Sequence, residues 1–592
     1  MVGVSQTVEA DIPSPAGGDL NALLDTFVLE DMAAQPEIAT SLGLDTGPRA
    51  GLKAKLTDRS PDGFAARHAL EADQLKRLEG VDIAGLNAAD ALNRDVVLFS
   101  LGLKVDAAKA FKYAGGVAGS PYALNQFQSS AYQIIPDFLD SQHRIATIED
   151  AEAYLSRLEG FAVALDQDSA LARFDLGLNV VPPDFITDRT LAQVKALRGA
   201  PADKSVLVQS LARRAAAKGL SGDWAGRASA VYQEKVQPAL DRQIGLLESL
   251  RANAPRDAGV WRLPDGDAYY AASVRAWTST TLTADEIHQR GLDLVRDLTA
   301  KIDTTMRSQG FTRGSVGQRL RAMFTNGSYQ YANTDAGKAH LLADVGARVA
   351  AMRAKLPSLF GVQPKADVEV RRVPVYLEAG APGGYYETGS LDGSRPGAFY
   401  INLRDTAELP NWTLPTLAYH EAIPGHHLQL TLAQETQLPL IRKLLVFSAY
   451  VEGWALYAEQ LALEMGFYDD DPLGRIGYLH DALLRAARLV LDSGLHGRRW
   501  SRERAIAYYV DTLGDPEAVA TTEVERYCVA PGQACGYMLG KMAWLRERDR
   551  AKAALGDRFD LRKFHDVGLA SGALPLALLP RVIDRYIAGA KG

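Results

Sequence analysis

Residues 419–427, YHEAIPGHH, constrain the fold and the chemistry of this chain more than any other stretch. Three of the ten histidines lie there, and a glutamate directly follows the first of them. Neutral imidazole is the commonest metal ligand in proteins, and the H-E pair is typical of the H-E-x-x-H helices of zinc peptidases. In those helices the histidines are four residues apart on one face, whereas here the second histidine comes six or seven residues after the first. A zinc site therefore requires an interrupted helix.

Pro424 and Gly425 provide a physical reason for that interruption. Proline has no N–H, and its ring clashes with the carbonyl four residues earlier, which belongs to His420. It also biases the preceding residue away from the α conformation, and glycine then tolerates backbone angles that are closed to other residues. We therefore predict a two-residue bulge that brings His426 next to His420 as a second zinc ligand, with His427 as the alternative.

The helix that follows carries candidates for a third ligand. A catalytic zinc ion takes three protein ligands and keeps one position open. Glu452 and Glu459 are seven residues apart and so share one helical face, while Gly453 permits close approach of another helix. We expect Glu452 to complete the zinc site and Glu459 to support a ligand from behind. Glu421 is then the general base for a water molecule whose pKa zinc lowers to about 7.

The rest of the chain is predicted to be mostly α-helical. Residues 1–19 are rich in Pro, Gly and Ser and are expected to be disordered. Apolar residues recur at helical spacing from residue 20 onward. We predict a helical N-terminal lobe at 20–280 and a catalytic lobe at 281–592.

Two segments of the predicted catalytic lobe position the site. Residues 367–404 alternate and are rich in Val and Tyr, which predicts a small antiparallel sheet beside the zinc-binding helices. Pro374 confines the first strand to an edge or a bulge. Residues 413–465 are expected to form a helical hairpin that carries the zinc ligands.

Composition excludes several classes of partner. The net charge is −7, from 65 basic and 72 acidic residues, which argues against a nucleic-acid or anionic-membrane partner. No apolar run reaches the roughly 18–20 residues of a membrane span.

The first residues lack the features of a signal peptide, so we expect a cytoplasmic protein, or a periplasmic or secreted one if a signal was removed. Oligomeric state is left open.

Four long motifs carry a resemblance to known proteins: YHEAIPGHHLQ, VEGWALYAEQ, LDSGLHGRRWSRERAIAYY and EVERYCVAPGQACGYMLG. They resemble a large bacterial family known only as a domain of unknown function. That family is related to the gluzincin zinc metallopeptidases, which include thimet oligopeptidase, neurolysin and angiotensin-converting enzyme. The resemblance covers most of the chain. It implies a two-lobed helical body with a deep central cleft, zinc on an H-E-x-x-H helix and a glutamate ligand on the next helix.

The resemblance also implies roles for particular residues. It assigns His420 as ligand, Glu421 as base and Glu452 as third ligand, and the two inserted residues leave the choice between His426 and His427 open. A donor for the developing oxyanion is expected from the C-terminal segments. The candidates for this role and for lining the cleft are Tyr537, which leads, and then Arg526, Tyr527 and His496.

Two further expectations concern the neighbours of these groups. Asp492 precedes His496 by four residues, and an (i, i+4) contact would orient the imidazole. The segment at 383–403 resembles the strand and loop that border the cleft in gluzincins, where an edge strand can bind a peptide backbone. Its candidate substrate contacts are Tyr386, Arg395 and Asn402.

These features predict a zinc-dependent hydrolase that cleaves peptide bonds, with short peptides as substrates. The first alternative is a zinc hydrolase acting on a non-peptide amide or ester, because the chemistry at the carbonyl is shared. The second is a non-catalytic binding protein with a vestigial metal site.

Overall fold

The structure, a computed structural model, describes residues 18–591 except 114–115, 128, 376–377, 379–381 and 390–395. Disorder is expected at 1–19. Residues 1–17 of that segment lie outside the described residues, and the first helix begins at Gly18. Arg395 also lies outside them. None of the described helices is long and apolar enough to cross a membrane.

Helices make up most of the described chain, as the sequence predicts. The α-helices are α1 Gly18–Ala34, α2 Pro36–Ser41, α3 Pro61–Glu79, α4 Ala88–Ala110, α5 Ala131–Ser141, α6 Ile148–Gly177, α7 Asp184–Gly199, α8 Val206–Ala217, α9 Trp224–Val231, α10 Gln237–Ala252, α11 Gly266–Thr278, α12 Ala284–Ser308, α13 Val316–Phe324, α14 Asp335–Leu359, α15 Leu414–Glu421, α16 His426–Glu435, α17 Leu440–Leu444, α18 Ser448–Glu464, α19 Pro472–His496, α20 Arg502–Leu513, α21 Glu517–Val529, α22 Cys535–Leu555, α23 Leu561–Ala570 and α24 Leu579–Lys591.

One small sheet interrupts the helices before the hairpin. Its strands are β1 Val368–Arg372, β2 Gly384–Glu387 and β3 Gly397–Ile401, in the order β1-β3-β2. β2 pairs with β3 antiparallel, but β1 pairs with β3 parallel. The prediction of a purely antiparallel sheet was therefore wrong, because β1 lies on the far side of β3 instead of pairing with β2.

Buried apolar side chains of the described residues form three cores. One takes its residues from 124–247, mainly helices α5 to α10. The largest extends from Leu92 to Ile587 and contains most of the C-terminal half, together with residues of α4 and α11. The third joins α1 to α4 and to Ile441 of α17. Most residues of the hairpin helices α15, α16 and α18 are buried, and their apolar side chains belong to the largest core.

A close helix contact fixes the position of α18. A Cβ added at Gly453 would lie 2.4 Å from the Cα of Gly540 in α22, and one added at Gly540 would lie 1.9 Å from the carbonyl oxygen of Ala449. Only glycine allows the two backbones to approach so closely. The contact packs α22 directly against the helix that carries Glu452.

Candidate metal centre

The predicted break of the metal-binding helix falls between α15 and α16. α15 ends at Glu421 and α16 begins at His426. A Cβ at Gly425 would lie 1.9 Å from the His420 carbonyl oxygen, so a side chain cannot be accommodated there. The indole Nε1 of Trp454 donates a hydrogen bond of 2.9 Å to the Pro424 carbonyl. The inserted residues are thus tied to α18, a role that sequence reasoning missed for Trp454.

Three side chains converge where the two halves of the hairpin meet. The Glu452 Oε2 atom lies 3.5 Å from His420 Nε2 and 3.4 Å from His426 Nε2. Ligand atoms around a tetrahedral zinc ion are about 3.3–3.4 Å apart when each bond is about 2.0–2.1 Å long. Glu421 lies beside them, because candidate ligand atoms of His420, Glu421 and His426 are all within 4.8 Å of one another.

The polar atoms of this cluster fit a divalent cation. Among the described residues, the buried Glu452 Oε2, which faces the Nε2 atoms of His420 and His426, has no hydrogen-bond partner. A buried carboxylate oxygen without a partner is costly, and two imidazoles with one carboxylate form a donor set that zinc accepts. The residues that would hold the ion are His420, His426 and Glu452, and the fourth position would remain open.

Glu459 lies behind His420. Its Oε1 is 2.7 Å from His420 Nδ1, and its side chain is fully buried. A carboxylate that accepts from one imidazole nitrogen fixes the tautomer, so that the other nitrogen can bind a metal. Here the other nitrogen, Nε2, is the one that faces Glu452.

The charges of the cluster shift the pKa values of its members. Burial lowers the pKa of His420, but the carboxylates of Glu452 and Glu459 raise it by more, to well above its usual value. Burial raises the pKa of Glu452, but the His426 and His420 imidazoles lower it by more, to well below its usual value. The carboxylates thus attract positive charge into the cluster, either as protons or as a cation.

His427 points away from the cluster. Its Nε2 donates to the Ala366 carbonyl at 3.1 Å, and its Nδ1 accepts from the Tyr386 hydroxyl at 3.0 Å. Burial lowers the pKa of His427 to about 4, which keeps the ring neutral. Of the two candidate histidines, the structure therefore brings His426 to Glu452. The Tyr386 hydroxyl holds His427, and the expected substrate contact of Tyr386 stays a prediction.

Tyr537 lies in the first turn of α22, half-buried. Gly540, three residues later, contacts Gly453 next to Glu452, so Tyr537 lies beside α18. The guanidinium of Arg488 lies 4.6 Å from its ring centroid. Tyr537 therefore stays the leading candidate for the oxyanion donor.

His496 does not take the expected catalytic position. The Val260 N–H donates to its Nδ1 at 3.1 Å, and its Nε2 donates to the Tyr527 carbonyl at 3.0 Å. The ring is fully buried. Asp492 does not orient it, because the carboxylate accepts from the Tyr270 hydroxyl at 2.7 Å and the Gly532 N–H at 3.0 Å. The prediction for His496 is therefore corrected: main-chain groups use both of its nitrogens, and it joins α19 to neighbouring segments.

Arg526 and Tyr527 meet at Glu523. The Glu523 Oε2 accepts from Arg526 Nη2 at 3.0 Å and from the Tyr527 hydroxyl at 2.7 Å. It also accepts from Arg488 Nη2 at 2.9 Å. Neither Arg485 nor Arg488 was predicted as a site residue from the sequence. The signal that could have found them is their i, i+3 spacing in an otherwise apolar stretch of α19.

Asn402 is held in the loop after β3. Its side-chain amide donates to the Glu378 carbonyl at 2.8 Å, and its side-chain oxygen accepts from the Arg404 N–H at 3.1 Å. These bonds give it a structural role, and its expected substrate contact stays a prediction. Arg395, outside the described residues, stays a prediction.

The chain belongs to a bacterial family of unknown function. The model of that family, "Bacterial protein of unknown function (DUF885)", matches residues 36–583. The crystal structure of "the putative lipoprotein from Colwellia psychrerythraea" is similar at 31% identity and a TM-score of 0.93, covering 96% of this chain and 99% of that one. A "putative lipoprotein of unknown function" from Shewanella oneidensis shares the fold at 20% identity and a TM-score of 0.72, covering 96% of this chain and 100% of that one. No curated protein matches the chain.

These matches confirm that the four motifs belong to the bacterial family of unknown function. The relation to the gluzincin peptidases stays a prediction.

Proposed function

We propose that this protein is a zinc-dependent hydrolase that cleaves peptide bonds in short peptides. The observation that carries the proposal is the position of Glu452 Oε2, 3.5 and 3.4 Å from the Nε2 atoms of His420 and His426. Glu421 lies beside this cluster. The resemblance of the motifs to gluzincin metallopeptidases supports the same reaction.

Each residue of the centre has a task in this reaction. A zinc ion bound there would polarise a substrate carbonyl and lower the pKa of a water molecule to about 7. Glu421 takes a proton from the attacking water and returns it to the leaving amine. Glu459 holds His420 in the tautomer that directs Nε2 into the cluster. The Tyr537 hydroxyl donates to the negative charge that develops on the carbonyl oxygen.

The test separates metal binding from catalysis. Glu421→Gln is expected to retain one zinc ion per chain and to lose peptide cleavage, because the amide cannot accept the proton. His420→Ala is expected to lose both. Glu464→Gln, a change of the same kind on α18, serves as the control. Metal content is measured by mass spectrometry and cleavage by digestion of a peptide library with and without a chelator. Full metal content together with wild-type turnover in Glu421→Gln would contradict the mechanism.

The same experiment addresses the alternatives. Chelator-sensitive hydrolysis of amides or esters, with no peptide cleaved, would replace the peptidase proposal by the wider hydrolase class. A function that is insensitive to chelators would favour a binding protein. Metal analysis also distinguishes zinc from ferrous iron, which accepts two histidines and a carboxylate as well.

A location in the cell envelope is a second part of the proposal. It is supported by the lipoprotein description of the Colwellia psychrerythraea protein. Fractionation of the source bacterium tests it, and recovery of the protein in the cytoplasmic fraction alone would contradict it.

A further inference from the structure

Three buried arginines surround Tyr537. Arg485 and Arg488 lie one turn apart on α19, and Arg526 lies on α21. Their side chains are only 11%, 9% and 14% exposed. A guanidinium stays charged at any physiological pH, and burying it is costly unless an anion compensates the charge.

The anions in direct contact do not balance this cluster. Asp481 pairs with Arg485 at 2.6 Å. Glu523 is the only carboxylate among the described residues in contact with both other arginines, at 2.9 Å from Arg488 and 3.0 Å from Arg526. Three guanidinium groups therefore share two carboxylates in direct contact.

The cluster also has unused hydrogen-bond donors. Among the described residues, the buried Nε atoms of Arg485 and Arg526 have no partner. A buried donor without a partner costs about 1–3 kcal/mol. A bound anion would use such donors.

The location of the cluster relates it to the metal centre. Arg488 lies over the Tyr537 ring, 4.6 Å from its centroid, and Tyr537 is the proposed oxyanion donor. Burial lowers the pKa of Arg485, but Asp481 and then Glu459, the partner of His420, raise it by more. Arg526 lies 5.8 Å from the ring centroid of Phe127, a residue of the N-terminal half of the chain. The cluster is therefore in contact with Tyr537 and with a residue of the N-terminal half.

We propose that Arg485, Arg488 and Arg526 form a site for a carboxylate of the peptide substrate. Guanidinium groups bind carboxylates through paired, charge-assisted hydrogen bonds. The carboxylate comes either from the free carboxyl terminus, which places the cleaved bond near that end, or from an acidic side chain. This inference rests on the proposed peptidase function and adds its substrate class.

Three versions of one cleaved peptide test it on the wild-type protein. They carry a free carboxyl terminus, an amidated terminus, or an amidated terminus with glutamate as last residue. Amidation is expected to lower kcat/KM about 10- to 100-fold, which corresponds to the loss of hydrogen bonds to charged groups. If kcat/KM of the amidated peptide with terminal glutamate returns to that of the free acid, the bound carboxylate can be a side chain. If it stays as low as that of the other amide, the site requires the carboxyl terminus. Equal cleavage of all three peptides would overturn the inference and leave the hydrolase proposal intact.

Substitutions in the arginine cluster test whether these residues cause the preference for the free acid. Arg485→Gln and Arg526→Gln are expected to reduce the preference for the free acid about tenfold or more. Arg475→Gln, exposed on the same helix α19, is expected to keep it. Binding of the acid and the amide is also measured by calorimetry in the zinc-loaded Glu421→Gln protein, which requires no turnover. Equal affinity for the two peptides there would also overturn the inference, even if no peptide is cleaved by the wild type.

Discussion

Replacing Glu459 by glutamine tests how the metal centre is supported. The fully buried carboxylate accepts a hydrogen bond of 2.7 Å from His420 Nδ1. Glutamine has nearly the same size and retains an oxygen that can accept this bond. It lacks the negative charge, which makes the imidazole a better donor to a cation and holds its tautomer.

The expected effect follows from that contact. Removing a carboxylate that supports a metal-binding histidine costs about 10- to 100-fold in metal affinity, or about 1.4–2.7 kcal/mol. We therefore expect the zinc dissociation constant of Glu459→Gln to rise by that factor. The Glu452 oxygen is unchanged by the substitution, so binding should be weakened and not abolished.

The assay is a competition titration of zinc against a chromogenic chelator. The control is Glu464→Gln on the same helix, where the carboxylate is paired with Arg548 at 2.8 Å. It is expected to bind zinc like the wild type. Wild-type zinc affinity in Glu459→Gln, or an equal loss of affinity in Glu464→Gln, would contradict the supporting role of Glu459.

Two further predictions concern the backbone at the insert and a buried ion pair. Gly425→Ala places a Cβ against the His420 carbonyl, so we expect it to lose zinc and about 1–3 kcal/mol of unfolding free energy. The control is Gly245→Ala, because a Cβ at Gly245 would meet nothing within 4 Å. Its unfolding free energy should rise by about 0.5–1 kcal/mol. Equal changes in Gly425→Ala and Gly245→Ala, measured by urea denaturation, would contradict this. Burial lowers the pKa of His480, but the Asp515 charge and a 2.9 Å hydrogen bond raise it by more. The resulting stability is complete below about pH 6.5 and is lost as the pH rises through the folded-state pKa. Urea denaturation should thus show a full advantage of wild type over His480→Gln below about pH 6.5 and a smaller one as the pH rises above it. An advantage that does not change with pH would contradict this.

The properties of two neighbouring residues were sufficient to predict the break between α15 and α16. Pro424 and Gly425 cannot continue a regular helix without loss of hydrogen bonds, and α15 and α16 end and begin on either side of them. The choice between His426 and His427 could not be made in this way. It depends on Ala366, 61 residues earlier in the chain, which binds His427 and turns it away.

Contacts between residues that are far apart in the chain also explain why other predictions were wrong or incomplete. Alternation in residues 367–404 identifies strands but not their neighbours, so the parallel pairing of β1 with β3 was not foreseen. His496 was interpreted with Asp492, four residues away, whereas one of its actual partners, Val260, is 236 residues away. The arginine cluster around Tyr537 is likewise visible only after α19, α21 and α22 have packed together.

The zinc content of two histidine variants tests whether His426, and not His427, binds a metal ion together with His420 and Glu452. Wild-type protein, His426→Gln and His427→Gln are purified in parallel, and bound zinc is measured by mass spectrometry after dialysis against a weak chelator. We predict one zinc ion per chain in the wild type and in His427→Gln, and a loss of zinc in His426→Gln. Full zinc content in His426→Gln, or its loss only in His427→Gln, would contradict the metal centre described above.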